Sequence, residues 1–186
     1  IRQEYLEIIG ILDGKHAYTG PSFIQIDITN DCNNDCIGCW CNSPLLGDKR
    51  LPPKIKSQSL PISLIKSFLD EAADMGAKEI YYAGGGEPFM HPNIMEVLEY
   101  TKKKGLTCYV NTNFTLIDRE KVKRLVDLGL DHMTVSVWAG TAQTYRETHP
   151  NKSEETFLRI KDTLRYLNSL KTSIRKPYIK VYHVIS

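Results

Sequence analysis

The chain has 186 residues, 41% of them hydrophobic and 25% charged, and a net charge of +2. That balance suits one folded domain able to bury a core. It is too mild to argue for nucleic acid or an anionic membrane as a partner, and the apolar runs fall short of the ~20 residues of a membrane helix.

The first residues, Ile1-Arg2-Gln3-Glu4, lack the basic start and apolar run of a signal peptide. With no initiator Met, the chain reads as a fragment. Residues 3–12 mix charged and apolar groups and predict a short helix; 13–22 is turn-rich. Residues 1–22 are thus expected to be an N-terminal extension, and 23–186 the core. Phe23 to Ile28 alternates and is β-branched, which predicts the first strand. A loop dense in cysteines follows at once. Residues 44–60 carry prolines and lysines with no clear period and read as loop. Pro61 suits the first turn of a helix, and Leu64, Ile65, Phe68, Leu69, Ala72 and Ala73 continue it at helical spacing to a stop at Gly76.

Residues 79–83 predict a second strand, running into Gly84-Gly85-Gly86-Glu87-Pro88. A helix over 93–104 leads to a third strand at 106–111, closing on Thr112-Asn113. A helix over 118–128 leads to a fourth strand at 133–138. A long helix over 156–170 leads to a fifth strand at 178–185. Alternating strands and helices predict an α/β fold with a parallel sheet and right-handed crossovers. The unusual residues follow the strands, where α/β folds place their sites. An unpaired fifth strand leaves an edge that is costly to expose, so the expected architecture is a larger barrel cut short or one that another segment completes.

Four of the five cysteines lie between positions 32 and 41. Cys32, Cys36 and Cys39 have the spacing C-x3-C-x2-C. Thiolates are soft ligands that select zinc, copper(I) or iron–sulfur. Three of them leave one metal position open, as catalysis needs and a closed structural site lacks. The competing reading is a structural zinc site with Cys41 as fourth ligand, although zinc sites usually join two short arms separated in sequence. Clustered, odd-numbered cysteines fit metal binding in a reducing cytoplasm rather than a disulfide framework. Three successive glycines are entropically costly for a mere turn and point to ligand contact. Cys108 sits inside a strand and reads as a small hydrophobe. The histidines show no ligand spacing and read as structural or surface residues.

The cysteine loop after the first strand, Gly85-Gly86-Glu87-Pro88 after the second and Asn111-Thr112-Asn113 after the third carry a family likeness. In this order and context the chain resembles the radical S-adenosylmethionine (SAM) enzymes from about Phe23 to its end. The resemblance implies a partial (β/α) TIM-like barrel, of which about five of six strands are present. It implies that Cys32, Cys36 and Cys39 hold three irons of a [4Fe–4S] cluster, the fourth being chelated by SAM. Reductive cleavage of SAM would yield a 5′-deoxyadenosyl radical that abstracts hydrogen from a substrate, with a peptide or protein as the candidate class. Gly85, Gly86 and Glu87 would meet the methionyl amino group. Asn113 and Ser136 are candidates for the ribose and carboxylate, and Arg146 for the carboxylate. A low-potential donor such as flavodoxin or ferredoxin is the implied electron source. The chain departs from the family at Gly38, where an aromatic residue often precedes the last cysteine, and at Ser136-Val137-Trp138, where many members read Ser-Leu-Asp. The alternative is a non-catalytic metal-binding or interaction module on the same scaffold.

Overall fold

The structure is a computed structural model that describes residues 2–171 and 176–183. Five parallel strands form one sheet in the order of the sequence: β1 (Phe23–Ile26), β2 (Glu79–Tyr82), β3 (Thr107–Thr112), β4 (His132–Ser136) and β5 (Tyr178–Tyr182). The expected α/β partial barrel is the fold observed. Sequential order with parallel pairing requires a crossover between every pair of neighbours. Helix α3 (Ile62–Asp74) links β1 to β2, α4 (Ile94–Lys103) links β2 to β3, and α5 (Arg119–Asp127) links β3 to β4. Helices α6 (Ala142–Thr148) and α7 (Glu154–Leu170) link β4 to β5.

The sheet has two unlike faces. One carries Ile80, Tyr82, Cys108, Val110, Met133 and Val135, all buried beneath Leu69, Val97, Leu98, Leu125 and Leu167 of the helices. This is the apolar stripe of each amphipathic helix meeting one side of the pleat. The other face is concave and largely open. Register sets Tyr81 beside Tyr109, Tyr109 beside His132 and His132 beside Tyr178. These rings form a row across the strands, closest where Tyr109 stacks on His132 at 4.2 Å between centroids.

At the amino ends of the strands a buried carboxylate ties the sheet together. Asp131 accepts from Cys108 N at 2.9 Å and pairs with Lys102 and Lys176. Its backbone carbonyl accepts from Tyr178 N at 2.8 Å, docking β5. Burial would raise its pKa, but the two ammonium groups and the amide together hold it below the usual carboxylate range.

Several sequence expectations shift. The segment expected to be loop holds a 3-10 turn at Pro44–Lys49 and the short helix α2 (Pro53–Lys56). Each has proline in its first turn, where the missing N–H costs nothing, but both are too short for a readable period. Pro61 stands just outside α3 as its N-cap. Helix α6 was not expected; it starts where the Thr141 hydroxyl accepts from Thr144 N at 3.1 Å. The fifth strand ends at Tyr182, and its expected last positions, 184 and 185, lie outside the described residues. Helix α1 (Gln3–Asp13) forms as expected but buries no residue fully.

Candidate functional site

The loops after β1 to β4 meet at the carboxyl rim of the sheet. One cavity there is walled by Cys32, Cys36 and Cys39 from the first loop and Gly84, Gly86 and Glu87 from the second. Thr112 and Asn113 at the end of β3 and Ser136 and Trp138 at the end of β4 stand opposite, with Asn34, Trp40, Asn111 and His149 filling the rest of the wall. Among the described residues no three His, Cys, Asp or Glu side chains converge closely enough to hold a single ion.

The glycine turn is built against the cysteine loop. A Cβ on Gly86 would lie 2.2 Å from the carbonyl oxygen of Asp31, which no side chain can do. That carbonyl accepts from Glu87 N at 2.8 Å. Gly84 has φ +122, and a Cβ there would overlap the Asp27 carboxylate. The glycines therefore answer first to packing between two loops, a reason the sequence reading did not supply. Cys41, only 4% exposed, adds a second bridge: its thiol donates to Gly85 O at 3.1 Å. Its sulfur lies 3.6 Å from that of Cys39.

Glu87 is buried, and three donors converge on its carboxylate. Phe89 N and Thr112 Oγ1 reach Oε1 at 3.1 and 2.6 Å, and Asn113 N reaches Oε2 at 2.6 Å. An ionised carboxylate offers about four acceptor positions, so one, on Oε2, stays open. Burial pushes the carboxyl up to about 7 despite these bonds. Asn113 is likewise engaged. Its amide donates to Asn33 Oδ1 at 2.9 Å and accepts from Thr115 N and Oγ1 at 2.9 and 2.7 Å.

The thiols share this low-dielectric setting. Burial pushes Cys32 up to about 11 and Cys36 up to about 12, the latter with help from the other two thiols. As thiols they favour the neutral form; metal cations are what would displace their protons. Trp138, at φ +54, lays its ring over Gly38, where a Cβ would come within 2.9 Å of it. The aromatic group absent from position 38 is thus replaced in space from the fourth loop.

Arg146 stands apart from the other candidates. Helix α6 turns it outward, its side chain 58% exposed and paired with Glu154 at 3.2 Å, away from the cavity wall. His149 is the opposite case: it lines the cavity, stacked on Tyr145 at 4.1 Å. No spacing rule picks out a lone histidine at the end of a short helix.

A parallel α/β sheet with three thiols, a carboxylate and an amide turn at one rim defines a partial-barrel scaffold with a polar cavity at its carboxyl end. The Radical SAM superfamily model matches residues 26–174, and the chain belongs to that family. It is 31% identical over 111 residues to an Fe-coproporphyrin III synthase of Methanosarcina barkeri, covering 60% of this chain and 26% of that protein. It is 28% identical over 140 residues to a PqqA peptide cyclase of Bradyrhizobium diazoefficiens, covering 72% and 34%. Streptococcus suis SuiB bound to the precursor peptide SuiA shares the fold at TM-score 0.70 and 17% identity, over 90% of this chain and 34% of that one. The chain spans only 26% to 44% of the length of such curated relatives. No helix among the described residues is long and apolar enough to cross a membrane.

Proposed function

We propose that this chain is the core of a radical SAM enzyme, with Cys32, Cys36 and Cys39 holding a [4Fe–4S] cluster and the neighbouring loops holding SAM. The observation that carries the reading is the convergence of four successive strand ends on one cavity. The residues fit. Thiols spread around a cavity suit a polynuclear group held at its corners, and buried polar atoms of Asn34, Asn111 and Trp138 in the same wall lack partners among the described residues. When bound, these groups supply reductive cleavage of the SAM sulfonium and a hydrogen-abstracting 5′-deoxyadenosyl radical.

The chain's own part is to bind and orient. Glu87 offers the open position on Oε2 to the methionyl ammonium, and charge-assisted bonds in a buried site are strong. The backbone of Gly86 lies beside it in the cavity wall, and Gly85, set back from that wall, holds the turn through its bond from Cys41. Asn113, fixed by Glu87, and Ser136 flank the remaining polar groups of SAM. Arg146 has no part in this set. Residues 23–186 form the core, and 1–22 an extension resting on it through Gln3, whose amide donates to Gly76 O at 3.0 Å. The substrate class is a peptide or protein, in keeping with the peptide cyclase among the relatives. The electron donor is a flavodoxin or ferredoxin. All the cysteines are free thiols, as a reducing cytoplasm would keep them.

Anaerobic reconstitution with iron and sulfide tests the reading. Four irons per chain, an electron paramagnetic resonance signal that changes on adding SAM, and 5′-deoxyadenosine formed with dithionite are the expected results. A colourless protein holding one zinc would overturn it.

A further inference from the structure

Asn34 lies in the middle of the cysteine loop, between Cys32 and Cys36, and is 1% exposed. It shares the cavity wall with all three thiols. Its amide faces the Cys36 thiol and the Tyr145 hydroxyl. Yet neither amide atom has a hydrogen-bond partner among the described residues, and nor does the Tyr145 hydroxyl, itself 0% exposed. A buried amide left unpaired on both sides is costly, whereas an apolar side chain of similar shape would be nearly neutral there. The position therefore holds a buried amide beside the sulfur of Cys36, with no well-formed bond of its own among the described residues.

We propose that the Asn34 side chain donates a hydrogen bond from Nδ2 to a sulfur of the iron–sulfur cluster, and thereby sets the cluster's reduction potential; this rests on the cluster reading above. The Tyr145 hydroxyl supports it. Placed beside the amide, that hydroxyl favours Oδ1 on its own side and leaves Nδ2 for the sulfur, since a carbonyl lone pair would be repelled by it. Hydrogen bonds to the sulfurs are among the groups that set such potentials. A donor there offsets negative charge, and the reduced cluster carries one more negative charge than the oxidised one. Asn34 therefore makes reduction easier. It is a tuning residue that touches neither SAM nor substrate.

The test uses the full chain, reconstituted anaerobically with iron and sulfide and titrated against redox mediators under electron paramagnetic resonance. Asn34→Leu keeps the volume and removes the donor. Tyr145→Phe removes one oxygen and leaves the packing. The expected result for Asn34→Leu is an unchanged iron content and about a tenfold smaller reduction equilibrium constant, which for one electron is about 59 mV more negative. Tyr145→Phe should move the same way by less. Wild-type potentials in both variants would overturn the inference and leave the cluster reading intact. If Asn34→Leu fails to hold a cluster, Tyr145→Phe decides: a negative shift supports the role of Asn34, and no shift overturns it. A wild-type chain with no cubane signal sinks both readings together.

Discussion

Glu87 is the residue on which two kinds of chemistry meet. It stitches the third loop to the second, and it is an incompletely satisfied buried carboxylate at a pKa of about 7. Its folded pKa lies above the unfolded one, so its share of stability is present in acid and falls as pH rises from about 4.5 to about 7. Glu87→Gln should flatten that part of the thermal stability profile of the ligand-free protein. The same carboxylate must be ionised to meet an ammonium. SAM affinity should therefore weaken as pH drops below about 7, with a proton released on binding above background, both readable by calorimetry in buffers of different ionisation enthalpy. At pH 8 Glu87→Gln should cost about 1.5–3 kcal/mol of binding, roughly 10- to 150-fold in Kd. Gly86→Ala probes the glycine beside it. With no room before the Asp31 carbonyl, the two loops must part, and about 1–3 kcal/mol of stability should go, seen as a lowered melting temperature together with loss of SAM binding. Both site residues were visible in the sequence as a motif. What was not visible is that Glu87 is also structural and that the glycines are packed against backbone, because both facts depend on which loop lies alongside. Cys41 lies outside the C-x3-C-x2-C spacing; its bond to Gly85 O shows it clamping the two motifs. Cys41→Ser should accordingly leave the iron content at four per chain, whereas serine at Cys36 should lower it, by iron assay.

Among elements, the five strands and the five longer helices, α1, α3, α4, α5 and α7, were legible because period and β-branching mark them independently of context. The elements that were missed are short. The turn at Pro44–Lys49, helix α2 and helix α6 hold one or two turns each, stabilised by a proline or a single hydroxyl cap rather than by an apolar stripe. These pieces shape the site, since α6 carries Tyr145 and ends at His149. The fifth strand depends on Asp131, whose carboxylate and carbonyl hold β3, the end of α4 and the start of β5 together. Asp131→Ala leaves Cys108 N and two lysines without their acceptor. It should destabilise the chain by about 1–3 kcal/mol, and hydrogen exchange should show β5 losing protection before β2 and β3 do.

Taken whole, the molecule is a sheet whose neighbours in space are always neighbours in sequence. Its aromatic concave face and its rim of loops lie on a scaffold in which no strand must be inserted between two others. A nascent chain can therefore lay each strand beside the previous one as it leaves the ribosome, each new helix sealing the seam behind it. By the time β2 and α4 have emerged, the two ends of the cysteine loop and the glycine turn can meet, while the middle of the loop still waits for Thr115, Thr148 and Asn151. The Asp31–Glu87 and Cys41–Gly85 bonds that lock them are within reach. The cysteine loop is finished only when the segment after α6 arrives, so its final shape is one of the last things the chain acquires.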